Sequence, residues 1–179
     1  MDLGLFLLHL TVGLLFVGHG TQKLFGWWGG PGIQGTTRMM GSLELHPARY
    51  HALAAGLGEA VGGALLALGL LTPVGAGLII AVMTVATITV HLDKGLWNAD
   101  GGYEFPLVMA TAAFALAAAS PGAWSLDAAL DLNIASAGAA LIALAAGVLG
   151  GVSAVIGGRS PKMERRERPA RPGQPAGQH

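Results

Sequence analysis

The chain has no cysteine and few charged residues, and both shortages restrict its chemistry. Without cysteine it cannot form an internal disulfide, bind a metal through thiolates or carry a Cys-x-x-Cys redox pair. Lysine, arginine, aspartate and glutamate make up 11% of the residues, less than half of the roughly 25% in a soluble domain. Any electron transfer through this chain would therefore need a bound cofactor or a partner protein, and no nucleic-acid partner or metal site is expected.

Hydrophobic residues make up 53% of the 179 positions and are gathered into long runs. A helix needs about 20 residues to cross the hydrocarbon core of a membrane. The runs at 3–20, 46–71, 74–92, 106–119 and 134–156 reach or approach that length, although the fourth would need residues up to 124 to span. The predicted fold is all-α: a polytopic transmembrane bundle with a four-helix core over 1–127, an additional transmembrane helix within 128–158 and a basic tail over 159–179.

All ten lysines and arginines fall on one side of the membrane when these five segments are threaded through it. Positively charged loops stay in the cytoplasm, so the N-terminus is predicted outside and the C-terminus inside. A four-span threading would place the six tail charges on the other side of the membrane from those of the first loop, so we reject it. The tail is rich in proline, glycine and arginine and is predicted to be disordered. The high alanine and glycine content suggests a GC-rich bacterial genome, and the predicted location is a bacterial plasma membrane.

Polar side chains from four segments are predicted to meet near the basic side. Glu59 lies well inside the second run, and its helical neighbours are glycines, so it should face another helix. Thr84, Thr87, His91 and Lys94, spaced 3, 4 and 3, are predicted to lie along one face of the third helix. The remaining members are His19, Gln22 and Lys23 at the end of the first run and Trp97, Asn98, Tyr103 and Glu104 before the fourth. Lysine snorkelling and interfacial aromatic anchoring are the simpler explanations for single members of this set.

Two glycine-rich corners and two glycine pairs complete the pattern. The corners at 25–32 and 93–104 carry tryptophans and turn-forming residues, and a short helix in the interface plane is predicted over 33–45. Gly58-x-x-x-Gly62 and Gly147-x-x-x-Gly151 have the spacing that lets helices approach closely. We interpret these pairs as packing within the bundle.

Three motifs in this order resemble the DoxX-like family of small membrane proteins. Residues 18–32 have the sequence Gly-His-Gly-Thr-Gln-Lys-Leu-Phe-Gly-Trp-Trp-Gly-Gly-Pro-Gly, similar to the first family signature. Gly58-Glu59 with Gly62-Gly63 resembles the second, and residues 91–98 with 101–106 resemble the third. The resemblance covers about 3–127 and implies a four-helix membrane unit, to which the fifth span and the basic tail are additions.

The resemblance also implies quinone-linked oxidation, or a redox-defence assembly with superoxide dismutase and a sulfurtransferase. The leading hypothesis is a quinone-associated subunit in which Glu59, His91 and His19 carry the chemistry. Gln22, Lys23, Thr84, Thr87, Lys94, Trp97, Asn98, Tyr103 and Glu104 would bind the substrate. The alternatives are a non-catalytic scaffold that recruits soluble redox enzymes to the lipid bilayer and, less favoured, a small-solute carrier.

Overall fold

A computed structural model describes residues 2–119, 122–132 and 134–159. Its seven α-helices are α1 (Asp2–Phe25), α2 (Gly32–Ser42), α3 (Ala48–Leu68), α4 (Thr72–Ala86), α5 (Glu104–Ala118), α6 (Leu126–Ala129) and α7 (Ala137–Gly158). A π-helical turn, Thr87–His91, follows α4, and 3₁₀ turns lie at Trp27–Gly29, Leu92–Lys94 and Asn98–Asp100. In the described part of the chain every regular element is helical, which confirms the all-α prediction.

Four helical segments are long and apolar enough to cross a membrane: Leu3–Phe25, Ala48–Leu68, Thr72–Lys94 and Ala137–Gly158. The fifth apolar helix, α5, has only 15 residues, as the sequence suggested for the fourth run. The connection between α3 and α4 is a tight turn, because Gly69 after α3 has a left-handed conformation and α4 has proline in its first turn. The chain is therefore a multi-pass membrane helix bundle.

Helix α3 lies at the centre of the bundle, between α1 and α4, and glycines allow both contacts. A Cβ atom on Gly20 of α1 would lie 2.4 Å from the backbone nitrogen of Ala60. On the other side of α3, a Cβ on Gly62 would lie 3.0 Å from the backbone oxygen of Gly75 in α4. Close backbone approach of this kind is how helices pack in membranes, where apolar side chains gain little by leaving lipid.

Helix α7 is an integral part of the bundle, because it packs directly against α4. A Cβ on Gly147 would lie 2.8 Å from the backbone oxygen of Gly77, and one on Gly151 would lie 2.7 Å from that of Ala81. The glycine pair of α7 therefore faces α4, as that of α3 does at Gly62. Packing within the bundle, predicted from both spacings, is confirmed.

The long helices alternate in direction, so the two ends of the bundle differ in charge. At one end the backbone nitrogen of His46 donates to the oxygen of Gly158 at 2.8 Å, and the ring of His19 lies 6.3 Å from that of Phe105. We call this the charged end, since every described lysine and arginine lies there: Lys23, Arg38, Arg49, Lys94 and Arg159. The opposite, or far, end includes the edge-to-face contact of Phe6 with Trp124. The predicted tail beyond Arg159 lies outside the described residues.

The third apolar run is not the continuous α-helix that we predicted over 74–92. Regular α-helix stops at Ala86, and the π-helical turn Thr87–His91 follows. Four consecutive β-branched residues, 87–90, fill this turn, and such residues crowd the preceding turn of an α-helix. Because a π turn adds a residue per turn, the face defined by α-helical spacing does not continue through it.

Candidate functional site

The clearest charged contact inside the bundle joins α1 to α3. The ammonium group of Lys23 lies 2.5 Å from Oε2 of Glu59, and the Glu59 side chain is only 3% exposed. Lys23, at 22% exposure, reaches the pair from the last turn of α1. Glu59 is therefore directed at another helix, as the glycines around it indicated, and its charge is compensated there.

His19 lies beside this ion pair and extends the cluster toward α5. Its ring lies 6.3 Å from each of the Phe16 and Phe105 rings. Gln22, predicted on the same face, instead lies against the first corner, where a Cβ on Gly30 would be 2.5 Å from Gln22 Cβ. Lys23 and Glu59 are thus in direct contact, and His19 lies one turn earlier on α1, whereas Gln22 packs on the first corner.

Helix α2 closes the bundle below the ion pair. The hydroxyl of Thr36, which is fully buried, donates to the backbone oxygen of Lys23 at 3.0 Å. The preceding corner reverses the chain with Gly26 at φ 75° and Trp28 at φ 50°. Glycine adopts a positive φ readily, which accounts for Gly26, whereas the same region is strained for Trp28. The short interfacial helix predicted from the sequence corresponds to α2.

The second corner is closed by its own hydrogen bonds. Nδ1 of His91 lies 2.7 Å from the backbone oxygen of Gly101, and the backbone nitrogen of Asn98 donates to Glu104 Oε2 at 2.8 Å. Lys94 lies over the same turn, since a Cβ on Gly101 would be 3.1 Å from its side chain. Trp97 is exposed. His91 and Glu104 therefore hold this corner together, and neither contacts Glu59 in the structure.

A cleft of about 400 Å³ lies between α4, α5 and α7, and three predicted residues line it. Thr84, Thr87 and Tyr103 lie along its wall, whose other residues are apolar except for Thr111. The hydroxyl of Thr84 donates to the backbone oxygen of Ile80. In the described part of the chain the hydroxyls of Thr87 and Tyr103 have no hydrogen-bond partner. His91 and Lys94 do not line the cleft, so the predicted four-residue stripe is divided at the π-helical turn.

The predicted cluster is therefore divided into three adjoining parts. The ion pair with His19 lies between α1 and α3, the second corner lies at the end of α4, and the cleft lies between α4, α5 and α7. Phe105, in the first turn of α5, contacts His19 and follows the residues that close the corner. In the described residues, Glu59 pairs with Lys23, His91 with the Gly101 oxygen and His19 with two phenylalanine rings, so the three side chains have different neighbours.

Two buried polar residues at the far end were not among the predicted site residues. Nδ1 of His9 lies 2.7 Å from the backbone oxygen of Leu66, whereas its Nε2 is buried without a described partner. Asp127, with no exposed surface, accepts hydrogen bonds from the backbone nitrogens of Leu71 and Thr72. The position of His9 inside an apolar run was the available signal. Nothing local to Asp127 indicates its distant partners.

Metal binding finds no support among the residues described here. No group of three or more histidine, aspartate or glutamate side chains is placed to hold an ion within 2–119, 122–132 and 134–159. Histidines 19 and 91, which could in principle have faced one another, make contacts with Phe105 and Gly101 instead.

The geometry defines a multi-pass membrane bundle with an acidic residue paired inside it and a lipid-facing cleft. A model of the DoxX family matches residues 4–92, which include the first two motifs and His91. The chain belongs to the DoxX family. The match ends before residues 93–106 of the third motif, whereas we expected the resemblance to continue to about 127. No curated protein and no solved structure matches the chain.

Proposed function

We propose that this chain is the membrane subunit of a quinone-linked oxidoreductase or redox-defence system, and that a quinone binds in the cleft between α4, α5 and α7. One observation carries the proposal: an apolar cleft of about 400 Å³ has two free hydroxyls, those of Tyr103 and Thr87, at its charged end. Small-molecule sites are commonly concave, mostly apolar and equipped with a few such polar groups.

The size and polarity of the cleft suit a quinone ring with part of its isoprenoid chain. The cleft follows α5 from Tyr103 to Phe114, which is roughly 16 Å at 1.5 Å per helical residue. The charged end offers donors for a ring carbonyl, and the Phe114 end is apolar and open to lipid. A bound quinone would supply two-electron, two-proton redox chemistry, which the side chains of a cysteine-free chain do not provide.

In this proposal the protein's own residues orient the ring and handle protons. Tyr103 Oη and Thr87 Oγ1 donate hydrogen bonds to the ring, while Thr84 forms part of the wall because its hydroxyl is already bonded to Ile80. His91 is a positioning residue, since it fixes the corner that precedes Tyr103. His19 and Glu59 are the groups on which a proton could be held, on the other side of Phe105.

The one-sided distribution of lysine and arginine supports an orientation for this site. If the chain lies in a bacterial plasma membrane, the charged end faces the cytoplasm, with the N-terminus outside and the C-terminus inside. The cleft would then open toward the inner leaflet. Cysteine labelling of single positions at the two ends, Asp100 and Asp131, would test this orientation in intact cells.

Quinone binding is tested with the purified full-length protein and a photoreactive ubiquinone or menaquinone analogue. Tyr103→Phe combined with Thr87→Val should weaken saturable labelling about tenfold, the effect of losing one to two hydrogen bonds. Thr111→Val is the matched control, because Thr111 lines the same cleft but donates its hydroxyl to Leu107. Equal affinity in all variants, or labelled peptides outside α4, α5 and α7, would contradict the site.

A second candidate function, a scaffold for soluble redox enzymes, is favoured by the exposed surface of the charged end. Trp28 and Trp97 are exposed on two corners whose backbones are held by internal contacts. Superoxide dismutase and a sulfurtransferase are the partners to test. Crosslinked purification from native membranes should retrieve them with the intact chain and lose them with Trp28→Ser and Trp97→Ser, without any dependence on quinone.

A further inference from the structure

Two arginines line one open cleft at the charged end, which is separate from the cleft between α4, α5 and α7. This second cleft, of about 380 Å³, lies between α2 and the first turn of α3. Its lining residues are Ile33, Gln34, Thr37, Arg38 and Arg49. Throughout the described residues, neither arginine has an acidic partner or a hydrogen bond to a side chain, so both guanidinium groups have donors available for an external anion.

The outer face of α2 is held in place by contacts on its inner face. Thr36 and Met40 are buried, and the Thr36 hydroxyl bonds to the end of α1. Gln34 and Arg38 lie on the opposite side of the same 11-residue helix, and Ile33 and Thr37 lie at the edges between the two faces. Gly35 lies beside Arg38, and a Cβ there would already be 4.0 Å from a guanidinium nitrogen. Arg38 therefore projects from a fixed helix, and Arg49 lines the same cleft from the first turn of α3.

The position of this cleft in the fold is the level at which lipid headgroups lie. The corner that leads into α2 exposes Phe25, Trp27 and Trp28 at the end of the membrane-crossing helix α1. Exposed aromatic residues at helix ends are typical of the membrane–water interface. Helix α2 begins four residues after Trp28, so its outer face lies in that layer.

We propose that the cleft between Arg38 and Arg49 binds the phosphate group of an anionic phospholipid. Guanidinium groups pair with phosphate oxygens through planar, two-pronged hydrogen bonds, and basic pockets beside transmembrane helices bind such headgroups. The amide of Gln34 adds a neutral donor, whereas Thr37 contributes only wall and acceptor because its hydroxyl donates to Ile33. The side chain of Ile33 provides an apolar surface for the glycerol and upper acyl region. This site does not depend on quinone binding.

Native mass spectrometry of the detergent-purified full-length protein tests this site with phosphatidylglycerol, phosphatidylcholine and inorganic phosphate as separate probes. Arg38→Gln with Arg49→Gln should lower phosphatidylglycerol affinity at least about tenfold, as expected for losing two interfacial cations. Arg159→Gln with Arg171→Gln removes the same number of positive charges, from positions that the sequence predicts on the same side of the membrane. This control should change the phosphatidylglycerol affinity less than about twofold. Phosphatidylcholine should bind weakly to all three proteins.

Each remaining outcome decides against the proposal. Equal loss in the two double variants would mean that charge acts diffusely and that no cleft is involved. A second outcome is that inorganic phosphate binds with the same dependence on Arg38 and Arg49 while phosphatidylglycerol does not bind. That result would make the cleft a site for a soluble anion. Because both arginines are exposed, their glutamine variants should keep the thermal stability of the parent, and that measurement excludes unfolding as the cause.

Discussion

Lys23 and Glu59 form an ion pair at the level where α1 ends and α3 is half complete. On the charged-end side of the pair, α3 packs on α2 and also on the last turn of α1, where a Cβ on Gly56 would lie 2.7 Å from the Leu24 side chain. A carboxylate buried in a bundle is costly alone, and the lysine compensates it. The pair therefore joins the end of one helix to the middle of another.

Breaking this pair should destabilise the bundle more than replacing it. Lys23→Met or Glu59→Met alone leaves the other residue's charge without its partner, and we expect each to cost about 2–4 kcal/mol. The double variant Lys23→Met with Glu59→Met removes both charges, so most of the loss should be recovered. Thermal unfolding in one fixed detergent, analysed as a double-mutant cycle, measures this coupling. Lys94→Met, an exposed lysine at the same end, is the control. Additive single effects would mean that the two residues are not coupled.

The direction of Glu59 could be predicted from its own helix, but its partner could not. Glycines three and four residues away left an open face, which had to be covered by another helix. We expected the first apolar run to end at Gly20 and grouped Lys23 with the substrate-binding residues at that end, so it was not singled out as the partner of Glu59. The structure continues α1 to Phe25, and this extra turn is what brings the lysine to the pair.

The stripe formed by Thr84, Thr87, His91 and Lys94 could be predicted from the sequence only in part. Helical spacing correctly placed Thr84 and Thr87 on one face, and both line the cleft. The spacing failed beyond them because a π-helical turn is a property of packing as well as of local sequence. The run of β-branched residues marks the region as a poor α-helix, but it does not say how the chain departs from one.

Asp127 should be important for the far end of the bundle, although it lies in a short loop helix. Helix α4 begins after Leu71, whose side chain cannot cap it, and the Asp127 carboxylate accepts from Leu71 and Thr72 backbone nitrogens instead. Asp127→Ala should therefore cost about 2–3 kcal/mol, and Asp127→Asn, which keeps one acceptor, about 1 kcal/mol. In Asp127→Ala, the backbone amides of residues 71 and 72 should exchange hydrogen faster, in proportion to the loss of stability. Asp100→Ala, at an exposed site, is the comparison. Exchange unchanged in Asp127→Ala would contradict the capping role.

Glycine-to-alanine substitutions should separate glycines that admit a neighbouring helix from those that face open space. A Cβ on Gly20 would meet the Ala60 backbone nitrogen at 2.4 Å, so α1 must move, at a cost of about 2–3 kcal/mol. A Cβ on Gly150 would meet nothing within 4 Å, and Gly150→Ala should leave the stability unchanged or raise it by up to about 1 kcal/mol. Thermal unfolding of the two single variants makes the comparison. A loss of similar size in both would attribute the effect to glycine content and not to helix contact.

The second corner should depend on the imidazole of His91 acting as a hydrogen-bond donor. His91→Leu removes the bond to the Gly101 oxygen, so the backbone of 98–103 should open more often and exchange its amides about five- to tenfold faster. His91→Asn is the informative control, because an asparagine amide can place a nitrogen near the position of Nδ1. It should restore slow exchange while removing the ring and any proton chemistry. If the corner is what positions Tyr103, quinone-analogue labelling should fall in His91→Leu and persist in His91→Asn. Loss of labelling in both variants, with slow exchange kept in His91→Asn, would show that the ring itself contacts the ligand and that the positioning role is wrong.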